Sequence, residues 1–254
     1  CSPVDDFKYS VDSTTNEVTI TGYTGSDQII IIPSKIEGNS VTKIGDSAFY
    51  GMTSLISIEL PDSVAYIGKA SFRECSNLIE IIIPDSVVSI GEYAFYSCSN
   101  LSNIDLPSNI TRINNYTFNY CKSIAEIEIP NDVTSIGQYA FCGCESLTNI
   151  IIPDCVKTIE RSAFDTCKNL TGVSIGKGLI TIETYAFYCC YALADITIPG
   201  NVTTIGQYAF KSCSGLSTVT LEKGVKTINQ EAFVGCTGLT SINIPNSVIQ
   251  LGGA

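Results

Sequence analysis

The amino-acid sequence predicts a β-rich α/β solenoid, a stack of like coils in which short parallel strands alternate with short helical or 3-10 turns. Three observations carry this expectation. Phe49, Phe72, Phe95, Phe118, Phe141, Phe164, Phe187, Phe210 and Phe233 follow one another at intervals of 23 residues, which makes nine copies of one unit. Further columns keep the same step: Cys75, Cys98, Cys121, Cys144, Cys167, Cys190, Cys213 and Cys236 lie three after a Phe, and a Leu or Ile lies six after it. Each unit also ends in an alternating apolar and polar run closed by Pro or a substitute for it. A fixed period of this length means coils stacked on one another, each burying its apolar side against the next.

Residues 1–28 lie outside the period. Phe7-x-Tyr9-x-Val11 and Val18-x-Ile20-x-Gly22 alternate as two strands around a polar turn at Thr14, Thr15 and Asn16, so they predict a hairpin that caps the first coil. Residues 29–254 form the solenoid, about nine coils with part of a tenth. Ile29 to Pro33 matches the strand-Pro run, and Glu37 to Ser40 is a small insertion before Val41 re-enters register. Within the unit Val133 to Pro153, Leu147-x-x-Ile150-x-Ile152 predicts a strand with Ile150 and Ile152 turned inward. Pro153 cannot donate to a ladder and should end that strand. Val133 and Ile136 suit a second extended segment. The apolar steps of three in A-F-x-x-C-x-x-L suit one helical or 3-10 turn. Gly45, Gly68, Gly91, Gly137 and Gly206, four before Phe, suggest a backbone with positive φ. Gly176 and Glu222 replace the strand-ending Pro and predict locally different turns. Val248 and Leu251 begin a further coil, which suggests a fragment of a longer protein.

Composition narrows the chemistry. A net charge of −11 argues against nucleic acid or an anionic membrane as partner. No apolar run is long enough to span a bilayer, so direct membrane insertion is not expected. Histidine is absent, which removes Ser-His-Asp and Cys-His catalysis and the commonest metal ligand together, and no enzyme is expected. Eight of the twelve cysteines share one apolar column and predict a reduced core ladder. Cys142, Cys155 and Cys189 lie off that column, with no ligand spacing for a metal; no cofactor is expected. Cys1 followed by Ser2 suits a bacterial lipoprotein with the lipid on Cys1, an anchor rather than a span.

The columns I-G-x-x-A-F-x-x-C-x-x-L-x-x-I-x-I-P closely resemble the BspA-like (Treponema pallidum-type) leucine-rich repeat family over residues 29 to 251. The segment Phe7 to Tyr23 also resembles that family's N-terminal segment. The resemblance implies a right-handed leucine-rich repeat coil whose strand after Leu forms a parallel concave sheet. It further implies a surface-exposed or secreted protein, often an adhesin for host matrix proteins or other cells, with no catalytic residues.

The candidate site follows from that strand, since residues flanking its first Ile point away from the core. Glu59, Glu80, Asp105, Glu126 and Glu128 cluster in the N-terminal half of the face, with Ile82 and Ile151 exposed among them. Acidic residues mixed with exposed Ile suit a basic or mixed apolar–basic protein surface. The expected function is a monomeric, extracellular or cell-surface binding module for a protein ligand. A structural stalk and a glycan-binding accessory module are the alternatives. A second candidate surface is the Tyr column two before Phe, made of Tyr93, Tyr116, Tyr139, Tyr185 and Tyr208.

Overall fold

The computed structural model describes residues 2–253, and Cys1, with the lipid attachment expected there, lies outside them. The chain winds as a parallel β-solenoid in which two segments of each coil pair with the same segments of their neighbours. The V-x-x-I segments supply two-residue strands, among them Arg112–Ile113, Ser135–Ile136, Thr158–Ile159 and Thr181–Ile182, in a seven-stranded sheet that runs to Gln250–Leu251. Arg112 pairs with Ser135 and Ser135 with Thr158, so the ladder steps by the sequence period and sets Ile against Ile. The L-x-x-I-x-I segments form the second ladder, Ile29–Ile31, Ser57–Glu59, Glu80–Ile82 and Asn103–Ile104. It resumes at Asn149–Ile152 and Gly172–Ile175, and again at Asp195–Ile198 and Thr218–Leu221.

Phe7–Val11 and Val18–Tyr23 form an antiparallel hairpin. Val18–Tyr23 then pairs in parallel with Asn39–Ile44, so the hairpin continues the V-x-x-I ladder. The insertion at Glu37 is a second, tight hairpin, Lys35–Ile36 against Asn39–Ile44. Its central residues Glu37 and Gly38 both have positive φ, at 50° and 82°, as a turn matched to strand twist requires.

The α/β and helical-turn part of the expected fold class does not hold. Among the described residues the only helical element is the 3-10 turn Val4–Asp6. The A-F-x-x-C-x-x-L run is instead a series of separate three-residue turns. Ala140, Cys142, Cys144 and Leu147 each donate N–H to the carbonyl three residues back, at 3.1–3.2 Å. Between them, Tyr139, Phe141 and Gly143 donate outward to Arg161, Ala163 and Asp165 of the next coil, at 2.8–3.0 Å. Residues two before and two after each Phe are left-handed in every coil, as at Tyr93 and Ser97 (φ 59° and 58°). Those two positions break any helix and turn alternate N–H groups toward the neighbouring coil.

The glycines four before Phe also differ from expectation. None of Gly45, Gly68, Gly91, Gly137 and Gly206 has positive φ. A Cβ on Gly91 would lie 2.6 Å from the backbone of Gly68 and Lys69, so glycine here answers the close approach of one coil to the next.

Two columns fill the core. Phe49 through Phe210 are fully buried, and the nine rings stack in parallel with centroids 5.2–5.5 Å apart. The eight column cysteines are free and buried. Each donates its S–H to the carbonyl oxygen of the Phe in the preceding coil at 3.0–3.2 Å, Cys144 to Phe118 among them. Burial pushes the Cys75 thiol up to about 12 and Cys98, Cys121, Cys144 and Cys167 well above the ordinary value, so the column is chemically inert at neutral pH. A strand-ending Pro accepts a turn hydrogen bond from the residue three on, as Pro153 does from Val156 (3.1 Å). Gly176 accepts the same bond, whereas Glu222 lets its carboxylate take the Gly200 N–H (2.9 Å) and opens a different turn.

Candidate functional site

Alternation along the L-x-x-I-x-I strand turns Ile58, Ile81, Ile104, Ile127 and Ile150 into the core and their flanking residues outward. All seven candidate residues lie on that outer side, but the structure gathers only four of them. Asp105, Glu126, Glu128 and Ile151 line one groove of about 580 Å³, closed by Asn131, Asn149 and Pro153. Glu59, Glu80 and Ile82 lie on preceding coils outside it, in register as Ser57 with Glu80 and Glu59 with Ile82. Glu80 is engaged by Asn103, whose side-chain amide donates to its carboxylate.

The groove forms where the ladder breaks. Residues 124–130 adopt no strand, and among the described residues no backbone hydrogen bond joins 124–129 to the coil before them. Asp105 and Glu128 hold the same column in neighbouring coils, as do Asn103 and Glu126. Like charges facing one another across a ladder repel, and no cation pairs with Asp105, Glu126 or Glu128 among the described residues. Ile151 stands beside them with 71% of its surface exposed.

A larger groove of about 1020 Å³ adjoins the first and shares Asn149 and Ile151 with it. It opens at the next break in the ladder, between Gly172–Ile175 and Asp195–Ile198. Val173 and Ile175 occupy inward columns yet are partly exposed on its floor, and Lys177, Asp195, Thr197 and Glu222 rim it. Sequence reasoning passed over these residues because Val173 and Ile175 fit the buried pattern. Gly172, the one glycine in its outward column, was the available signal.

The Tyr column lies on the Phe-turn side of the coil. Its rings stack as Tyr93, Tyr116 and Tyr139 (centroids 4.6 and 4.9 Å) and as Tyr185 with Tyr208 (4.8 Å), interrupted by the buried Ser162. Ring faces are thus largely spent on one another, leaving edges and hydroxyls to solvent.

The family model described as "BspA type Leucine rich repeat region" matches residues 28–148 and 134–254. Several solved structures share the fold, three of which follow. A leucine-rich cell surface protein of Faecalibacterium prausnitzii is 24% identical with a TM-score of 0.65, covering 100% of this chain and 96% of its own. A leucine-rich repeat protein of Treponema pallidum is 27% identical (TM-score 0.50; 94% and 91% covered), and one of Bacteroides ovatus 22% (TM-score 0.54; 98% and 90%). No functionally curated protein matches the chain.

Proposed function

The chain belongs to the BspA-type leucine-rich repeat family, and from that premise we propose that it is an extracellular or cell-surface module that binds a protein ligand through the outer face of its L-x-x-I-x-I ladder. The observation that carries this reading is the groove at the first ladder break. Three unpaired carboxylates, Asp105, Glu126 and Glu128, meet an exposed Ile151 there, where neither charge nor apolar surface gains anything in the isolated chain. A basic protein surface with an apolar knob would complement both. The carboxylates would steer encounter, and Ile151 with the partly exposed Val173 and Ile175 would hold the complex. One solved structure that shares the fold, from Faecalibacterium prausnitzii, is named as a cell surface protein, which supports the location. Glu59, Glu80 and Ile82 extend the acidic and apolar face and act as its rim.

Catalysis has no part in this reading, and no helix is long and apolar enough to cross a membrane. The test is an array of extracellular-matrix proteins and glycans probed with the chain and with a Glu126→Lys/Glu128→Lys variant. A protein captured by the chain and lost by the variant supports the assignment. Capture of the same protein by both moves the site to another face, and capture of glycans alone sinks the protein-ligand reading.

A further inference from the structure

The Phe-turn side of the stack carries a second arrangement, independent of the acidic groove. Several of its tyrosine rings have a cation directly over them. Arg73 lies 4.8–5.8 Å from the ring centroids of Tyr50, Tyr93 and Tyr96, Arg161 5.7 Å from Tyr185, and Lys211 4.6 Å from Tyr208. Tyr120, Tyr188 and Tyr191 have none among the described residues, and the second of the two coils between them holds a carboxylate, Asp165.

The geometry follows from the stacking. Asp165 lies one after Phe164, in the column of Cys142 and Tyr188. Gly143 N–H donates to the Asp165 carbonyl (2.8 Å) and Thr166 N–H to that of Tyr188 (2.7 Å), which fixes the three coils side by side. Tyr120 reaches in from the other direction. Its ring crosses Gly143, where a Cβ would lie 2.6 Å from Tyr120 Cδ1, so only glycine lets the ring pass. Tyr120 and Tyr191 keep 44% of their surface exposed, while the Asp165 carboxyl is half-buried beside the Ser162 and Thr166 hydroxyls.

Nothing among the described residues neutralises that carboxylate. Asp165 joins no ion pair among the described residues. Lys168 is engaged by Glu145 at 3.3 Å and Lys211 by Glu231 at 3.2 Å. Desolvation raises the Asp165 carboxyl from 3.8 to about 6, the mark of a charge held without a partner. A carboxylate whose charge reaches three nearby tyrosines suits a large, weakly hydrated cation better than a small metal ion, because ring faces attract positive charge but offer no lone pair for coordination.

We propose that Asp165, Tyr120, Tyr188 and Tyr191 form a recognition site for an alkylammonium group, the carboxylate supplying counter-charge and the rings the wall. The group is either the side chain of a lysine on a protein or the head of a free alkylamine.

Titration of the chain with N-acetyl-lysine methylamide and with tetramethylammonium, followed through the ring resonances of labelled tyrosine, tests this. N-acetyl-norleucine methylamide is the uncharged control. Saturable shifts at Tyr120, Tyr188 and Tyr191 are expected, with a Kd on the order of 1–10 mM for an exposed single-group site. Response to the lysine derivative alone assigns a primary ammonium and a protein source; response to both assigns alkylammonium ions at large. Asp165→Asn should weaken binding at least about tenfold and Tyr191→Leu by several-fold, while Glu126→Gln/Glu128→Gln leaves it unchanged. Shifts confined to other tyrosines, an equal response to the norleucine control, undiminished binding by Asp165→Asn, or no saturation would each overturn the proposal.

Discussion

Replacing Asp165 by Asn should stabilise the protein at neutral pH and have no effect in acid. The Asp165 carboxyl is raised from 3.8 to about 6, desolvation being the cause, with the nearby Ser162 and Thr166 hydroxyls opposing it. The folded state therefore holds the proton more tightly than the unfolded chain. Its advantage is full below pH 3.8, shrinks as pH rises through about 6, and is gone above that. The difference between 3.8 and about 6 corresponds to about 3 kcal/mol in full. The carboxyl is only half-buried, and solvent screening reduces this to about 1–2 kcal/mol. Neighbouring groups do not confuse the window. Tyr120, Tyr188 and Tyr191 are shifted upward, the Cys142 thiol is pushed up to about 12, and Glu145 is held low by Lys168. Lys211 is raised by Glu231 and stays charged. Thermal unfolding followed by circular dichroism should show Asp165→Asn melting about 2–8 °C above the parent near pH 7.5, given roughly 2–4 °C per kcal/mol for a chain this long. Near pH 4 the two curves should approach one another as the parent carboxyl protonates. Asn melting below the parent at both pH values would refute the reasoning, since it would mean that the carboxylate is needed as a hydrogen-bond acceptor more than it suffers from burial.

Three further expectations concern the coil itself. Phe141→Ala removes a fully buried ring from the stack and should cost about 3–5 kcal/mol, read from denaturant midpoints; an unchanged midpoint would show that the column does not hold the coils. Thr166→Gly relieves a β-branched residue at φ 56° and should raise stability by about 1 kcal/mol, whereas Gly143→Val, at φ 75° beneath the Tyr120 ring, should lower it by at least as much. Thiol titration of the denatured protein without reductant should return all eight column cysteines as free thiols; fewer than eight would mean that neighbouring coils are cross-linked.

The repeat made the coil legible, because a side chain buried in one coil is buried in the next and the apolar columns report it directly. Ile150 and Ile152 were readable as inward and Ile151 as outward for this reason. Backbone conformation was less legible. The left-handed positions are filled by Tyr, Ser, Ala, Glu, Thr and Cys as well as Gly, since inter-coil hydrogen bonds hold them there against local preference. The glycines four before Phe misled for the converse reason, as their smallness serves contact between coils. At the site, the acidic and apolar composition of the face could be read, but its division into grooves could not. Residues 124–130 keep the same apolar alternation as their paired neighbours, so the pattern does not mark where the ladder breaks. Asp165 likewise looks like an ordinary surface residue until Tyr120, Cys142 and Tyr188 are placed around it from three other coils.

The central claim, that the acidic ladder face binds a basic protein surface, is tested most directly by association kinetics. A protein captured from the matrix array is immobilised, and on-rates are measured against salt for the chain and for Glu126→Lys/Glu128→Lys. Rim charges act mainly on encounter, so the on-rate of the parent should fall as salt rises, and the variant should associate about tenfold or more slowly at low salt with the opposite salt dependence. Identical on-rates and identical salt slopes for the two proteins would contradict the account.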